Sequence, residues 1–142
     1  MRALLDVNVL IALHDTQHVH HLRAVEWFAG HAEHGWASCP LTQNGCLRIM
    51  SQPGYAQPQP VSVIAQMLQR STGTHYHQFW ADDLSLLDTR VFDHFKIHGH
   101  RQLTDLYLLA LAVKHGGRLV TFDEQIALSA VHGAGQRHLA TP

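Results

Sequence analysis

A chain of 142 residues, 46% apolar and 15% charged, has the size of one ordinary domain and ample material for a core, which excludes two such units and general disorder. A net charge of -1, with 14 histidines counted neutral, excludes the class of nucleic-acid binders that rely on a large basic excess, while leaving room for local binding through a few cations. Asp6 and Asn8 interrupt the apolar N-terminus and Asp105 interrupts the short apolar stretch Leu103 to Val113, so neither a signal peptide nor a membrane span is expected.

Cys39 and Cys46 stand too far apart for a CxxC redox pair and read as reduced thiols, so a cytoplasmic location is expected. The low charged fraction favours a subunit that buries one face against a partner.

In chain order, Arg2 to Leu5 reads as a short buried strand ending at Asp6, followed by an apolar turn or helix over Val9 to Leu13. His20 to His34 is predicted helical, with Leu22, Val25, Ala29 and Ala32 as its apolar stripe and Phe28 beside it. Trp27 falls on the opposite side and is expected to be an exposed aromatic or part of a partner surface. Gly35 stops this helix and Trp36 to Cys39 forms the next strand. Thr42 to Met50 is a helix with Thr42 as candidate cap, in which Gly45 costs about 1 kcal/mol relative to alanine unless close packing needs the missing side chain. Prolines and a glycine make Ser51 to Pro60 a connection.

Ser62 to Ser71 returns to helical spacing, packed by one stripe of Val63, Ile64, Met67 and Leu68. His77 to Trp80 is a third strand, stopped by Asp82 and Asp83, with Tyr76 and Trp80 expected to pack as core aromatics. Leu84 to Phe95 has mixed spacing and supports no element assignment. Gln102 to His115 is the clearest helix, ended by Gly116-Gly117, and Arg118 to Thr121 is a strand with Asp123 just past its end. Ile126 to Val131 reads as a short helix and His138 to Ala140 as a last edge strand. The succession predicts a single α/β domain over 1–142, a three-layer sandwich with a mostly parallel central sheet covered by helices.

Asp6 and Asp123 each follow a short apolar strand, and Asp105 opens the strongest helix, where free N–H groups and the helix dipole favour its charge. If the sheet gathers them, three carboxylates meet at one edge, and oxygen ligation of that kind suits Mg2+ or Mn2+. Fourteen histidines invite a zinc reading, but neither the cluster at His18, His20 and His21 nor that at His94, His98 and His100 carries an HExxH or tight Cys/His pattern.

The segments LLDVNVLIAL, ASCPLTQNGCLRIM, QLTDLYLLALAVKHGG and RLVTFD together resemble the PIN domain, and more closely the toxin ribonucleases of VapBC toxin–antitoxin systems, over essentially the whole chain. That resemblance implies a metal-dependent endoribonuclease with Asp6, Asp105 and Asp123 as catalytic and metal-binding carboxylates, an RNA substrate, a homodimer and a cognate antitoxin that inserts a basic peptide into the acidic groove. Many members carry a glutamate in the helix after the second strand, where this chain has Gln43-Asn44-Gly45.

Asn8, Asn44, Thr104 and Thr121 are candidates to support the carboxylates, with Asn8 expected to tie the Asp6 loop and Thr121 to support Asp123. Arg48 and Arg101 are candidates for RNA phosphate. Two other readings compete: a catalytically silent PIN-fold module that binds RNA or protein, and a structure-selective DNA nuclease.

Overall fold

A computed structural model describes all 142 residues. Its strands are short and, apart from the edge strand β3, mostly apolar: β1 (Ala3–Leu5), β2 (Trp36–Ser38), β3 (His77–Phe79), β4 (Arg118–Val120) and β5 (Leu139–Ala140). They form one sheet in the order β3-β2-β1-β4-β5, every neighbouring pair parallel. Parallel strands need long crossovers, supplied here by α1 (Val7–His14), α2 (His21–His31), α3 (Pro40–Ser51), α4 (Val61–Thr72) and α5 (Leu103–Lys114).

Side chains alternate across the central strand, so two cores form. Leu4 packs with α5 on one face, whereas Ala3 and Leu5 pack with α1, α3 and α4 on the other. Seven consecutive residues of α5, Leu106 to Ala112, are buried; a helix apolar all round belongs inside, and this one forms the centre of its layer. Strand and helix bounds fall within two residues of the sequence expectation except at the end of α2, which stops three residues short at His31 where a 3-10 turn, Ala32–His34, takes over; the starts of α1 and α3 each lie two residues early.

Those starts have local causes. Asp6 caps α1 by accepting from the Val7 amide at 2.7 Å, so the helix begins two residues earlier than its apolar run suggests. Pro40 occupies the first helical position of α3, and Thr42 is not its cap: its hydroxyl accepts from the Cys39 amide at 3.0 Å from three residues inside.

The face of α2 is the opposite of that expected. Leu22 and Val25 are exposed, as is Ala29, while Ala24 is buried and Trp27 and Phe28 pack on the core with Leu5 and Trp36. Two aromatic rings bury more surface than the aliphatic stripe, and Ala24 between them permits close approach. Trp27 is therefore no exposed aromatic; its ring stacks on His31 with centroids 4.1 Å apart.

Trp80 is buried as expected, stacked on His115, but Tyr76 is exposed and lies against His75. The expected helix over Ile126 to Val131 shrinks to a 3-10 turn, Leu128–Ala130, because Val131 instead pairs antiparallel with Phe92.

Close packing accounts for two glycines. A Cβ on Gly45 would stand 2.7 Å from Val7 Cγ2, so α3 crosses the start of α1 only without a side chain there. Gly116 ends α5 with φ +66°, and a Cβ on Gly117 would lie 2.6 Å from the Arg2 carbonyl oxygen, where β4 enters the sheet.

Candidate active site

Strand order reverses beside β1, with β2 on one side and β4 on the other, and in such sheets the crevice opens at the carboxyl ends of the strands around that point. Leu5 is in register with Val120, and the Asp6 amide donates to the Val120 carbonyl at 2.9 Å, which carries the ladder one residue further and brings Asp6 level with Thr121. Two residues on, Asp123 leaves the sheet.

Thr121 joins the two acids. Its hydroxyl, 1% exposed, donates to Asp6 Oδ2 at 2.9 Å and accepts from the Asp123 amide at 3.1 Å. Asp123 Oδ1 in turn accepts from the Gln125 amide at 2.8 Å, an Asx turn that bends the chain around the carboxylate. Asp105 comes from the first turn of α5 and lines a small cleft with Gln102, Asp123, Gln125 and the apolar side chains of Leu106, Ile126 and Ala127.

The electrostatics show that the three carboxylates feel one another. Burial first, then the charges of Asp6 and Asp123 and a hydrogen bond with Asp123, push the Asp105 carboxyl up to about 7. Burial also raises Asp6, aided by the charge of Asp123 and opposed by the hydrogen bonds from Thr121 and Val7. The favourable helix end at Asp105 is thus outweighed by desolvation and like charge, contrary to the reading of that position in isolation. An all-oxygen donor set of this kind fits a hard divalent cation better than a soft one. It is not closed into a cage, for no three His, Cys, Asp or Glu side chains stand at metal-holding spacing.

The PIN domain family matches residues 3–131, nearly the full length of the sheet and helices just described. The chain belongs to the PIN domain family. It is 56% identical over 141 residues to Ribonuclease VapC44 of Mycobacterium tuberculosis, with 99% of each chain covered. It is 46% identical over 135 residues to Ribonuclease VapC39 of the same organism, covering 94% of this chain and 96% of that one. Among solved structures, VapBC2 from Rickettsia felis bound to a DNA fragment from their promoter superposes with a TM-score of 0.62, over 100% of this chain and 99% of that one, at 12% identity; at that identity the match carries the fold.

In the Gln43-Asn44-Gly45 stretch of α3, where the resemblance implied a family glutamate, no carboxylate stands. Gln43 turns its amide away to donate to Ser38 Oγ at 2.9 Å, which also bonds His77 Nε2 at 2.8 Å. Asn44 is exposed. The Cβ space of Gly45 is filled by Val7.

The remaining candidates of this PIN domain divide. Thr121 supports both Asp6 and Asp123, more than expected. Asn8 is exposed, and the Asp6 carboxylate is held by Val7 and Thr121 instead. Thr104 faces a neighbouring groove with Leu41, Asp82, Leu86, Leu103 and Tyr107, outside the acidic cleft. Arg48 and Arg101 are exposed, Arg101 one residue before Gln102 of the cleft wall. Gln102 and Gln125 escaped sequence reasoning; the spacing Asp123-Glu124-Gln125 is the one signal available, an aspartate two residues before an amide that it can accept from.

Proposed function

We propose that this chain is a divalent-metal-dependent endoribonuclease that hydrolyses RNA phosphodiester bonds as the toxin of a toxin–antitoxin pair, with Asp6, Asp105 and Asp123 as its catalytic carboxylates. The observation that carries the reading is their gathering at the β1–β4 crevice, where one Thr121 hydroxyl ties Asp6 to the Asp123 amide and Asp105 lines a cleft with Asp123. The kinship to proteins named ribonucleases, 56% identity over 99% of the chain in one case, supplies the substrate class.

Mg2+, or Mn2+ in its place, would be held by these three carboxylates and would supply Lewis acidity at the phosphate and acidify a water. The residues themselves do the positioning. Thr121 keeps one Asp6 oxygen turned into the sheet edge and fixes the Asp123 loop through the same hydroxyl. Val7 donates to the other Asp6 oxygen, so the carboxylate is held at both ends before any substrate arrives. Gln102 and Gln125 border the cleft as neutral polar groups, suited to contacting sugar or phosphate without cancelling the acidic charge.

An antitoxin partner is supported by the relatives' VapC names and by the Rickettsia felis VapBC2 assembly. Its segment over the cleft would carry Arg or Lys to offset the carboxylates. A homodimer is supported by the low charged fraction and by the exposed apolar residues Val19, just before α2, and Leu22 and Val25 along it. No helix is long and apolar enough to cross a membrane.

The test is to incubate the purified protein with total cellular RNA, with and without Mn2+, and to map new ends against an Asp105→Asn control. Discrete new ends that require both Mn2+ and Asp105 are expected. Ends that are identical in the control, or none at all, would overturn the assignment.

A further inference from the structure

Phe95 is the most exposed large apolar side chain of the molecule, 99% open to solvent, yet its backbone is firmly held. It sits in a 3-10 turn, His94–Lys96, whose cap Asp93 accepts from the Phe95 amide at 3.2 Å. The Asp93 amide donates to the Ala130 carbonyl and the His132 amide to the Val91 carbonyl, each at 2.9 Å. Between them Phe92, 1% exposed, pairs with Val131 and plugs the core. One aromatic of this turn is an anchor, and the other is held out where it buries nothing within the chain.

The turn is attached to the acidic cleft at both ends. The strand of chain that braces it leads back from Ala130 to Ala127 and Ile126, which form one cleft wall. Forward from Phe95 the chain runs through His98, His100 and Arg101, all exposed, into Gln102, which lines the same cleft. An exposed ring followed by successive cationic or protonatable side chains matches the way single strands are bound, with bases stacked on aromatics and phosphates met by local positive charge.

We propose that Phe95 is the stacking platform for a base of single-stranded RNA whose backbone passes from His98, His100 and Arg101 across the acidic cleft. The inference rests on the ribonuclease reading and adds to it the part of the substrate that is gripped. It also places the grip on the connection between β3 and α5, away from the exposed face of α2.

The test measures anisotropy of a short fluorescently labelled single-stranded RNA against the full chain in EDTA, where binding is read without cleavage. Phe95→Ala should weaken binding about fivefold to a hundredfold, Phe95→Trp should hold or tighten it, and Phe95→Leu should behave as the alanine variant. With Mn2+ added, KM for the same RNA should rise in Phe95→Ala while kcat holds. Unchanged RNA affinity in Phe95→Ala would overturn the inference, as would conversion of a dimer to a monomer by that substitution in light scattering, which would assign the ring to a second copy of the chain. RNA binding that depends on Phe95 in a protein that never cuts would instead overturn the ribonuclease reading alone.

Discussion

In metal-free protein, Asp105→Asn should raise stability near pH 8 and leave it unchanged near pH 4. Burial and the charges of Asp6 and Asp123 lift the Asp105 carboxyl from 3.8 to about 7 in the folded chain. A carboxyl with a raised folded value favours the native state while its proton is on, so its contribution is complete below the unfolded value and is lost as pH climbs through the folded one. Wild-type stability should therefore fall across about pH 4 to 7 through this group, and asparagine, which has no proton to lose, should escape that fall. A rise of this size has a ceiling of about 4 kcal/mol. Because the carboxyl is partly open to water, screening reduces the expectation to about 1–2 kcal/mol. For a chain of 142 residues, at about 2.1 cal/mol/K of unfolding entropy per residue, that is a rise of about 3–7 °C in Tm. The assay is differential scanning calorimetry of both proteins in EDTA across that pH range. A variant that melts at or below the wild type near pH 8, or one whose gain is the same at both ends of the range, would refute the reasoning.

Three other substitutions probe the supports of the site. Thr121→Val keeps the shape but leaves Asp6 Oδ2 without its donor; thermal melts should show a loss of about 1–3 kcal/mol, with RNA cleavage falling more steeply than stability. Gly45→Ala drives a methyl to 2.7 Å from Val7 Cγ2 and should cost about 1–3 kcal/mol by overpacking, partly offset by about 1 kcal/mol of helix propensity; adding Val7→Ala should recover most of the loss in denaturant titrations. Gly117→Ala meets the Arg2 carbonyl oxygen at 2.6 Å and the Trp80 ring at 2.9 Å; the first is a backbone atom that cannot swing aside, so its loss should exceed that of Gly45→Ala and should not be recovered by Trp80→Leu.

The site was legible where chemistry and periodicity coincide. Asp6 and Asp123 stand out because each ends an apolar run of strand length, and Asp105 because it opens the one helix that is apolar almost all round. Parallel pairing of β1 with β4 brings Asp6 and Asp123 together, since both strands then deliver their next residues to the same sheet edge, and the first turn of α5 sets Asp105 in a cleft beside Asp123. Mutual repulsion of the three acids was implied once the sheet gathers them, but the larger cause of the Asp105 rise, burial of its carboxyl, was not legible.

Packing choices were harder to read than elements. On α2, Leu22-Val25-Ala29 and Ala24-Trp27-Phe28 both satisfy helical spacing, and only contact with Trp36 and the β1 face decides between them. The connection from Leu84 to Gln102 has no period because its residues are held one at a time, by the Phe92–Val131 bridge and by caps such as Asp93. Gly45 was readable as an exception to helix propensity, but not as the contact with Val7 that leaves α3 without a carboxylate for the cleft.

Titration of the purified protein with Mn2+, followed by electron paramagnetic resonance of the free ion, addresses the divalent site directly. Tight Mn2+ uptake by the wild type, sharply reduced in Asp6→Asn, Asp105→Asn and Asp123→Asn although each still melts cooperatively, is the expected result. Equal Mn2+ uptake by the wild type and a protein carrying all three substitutions would contradict it.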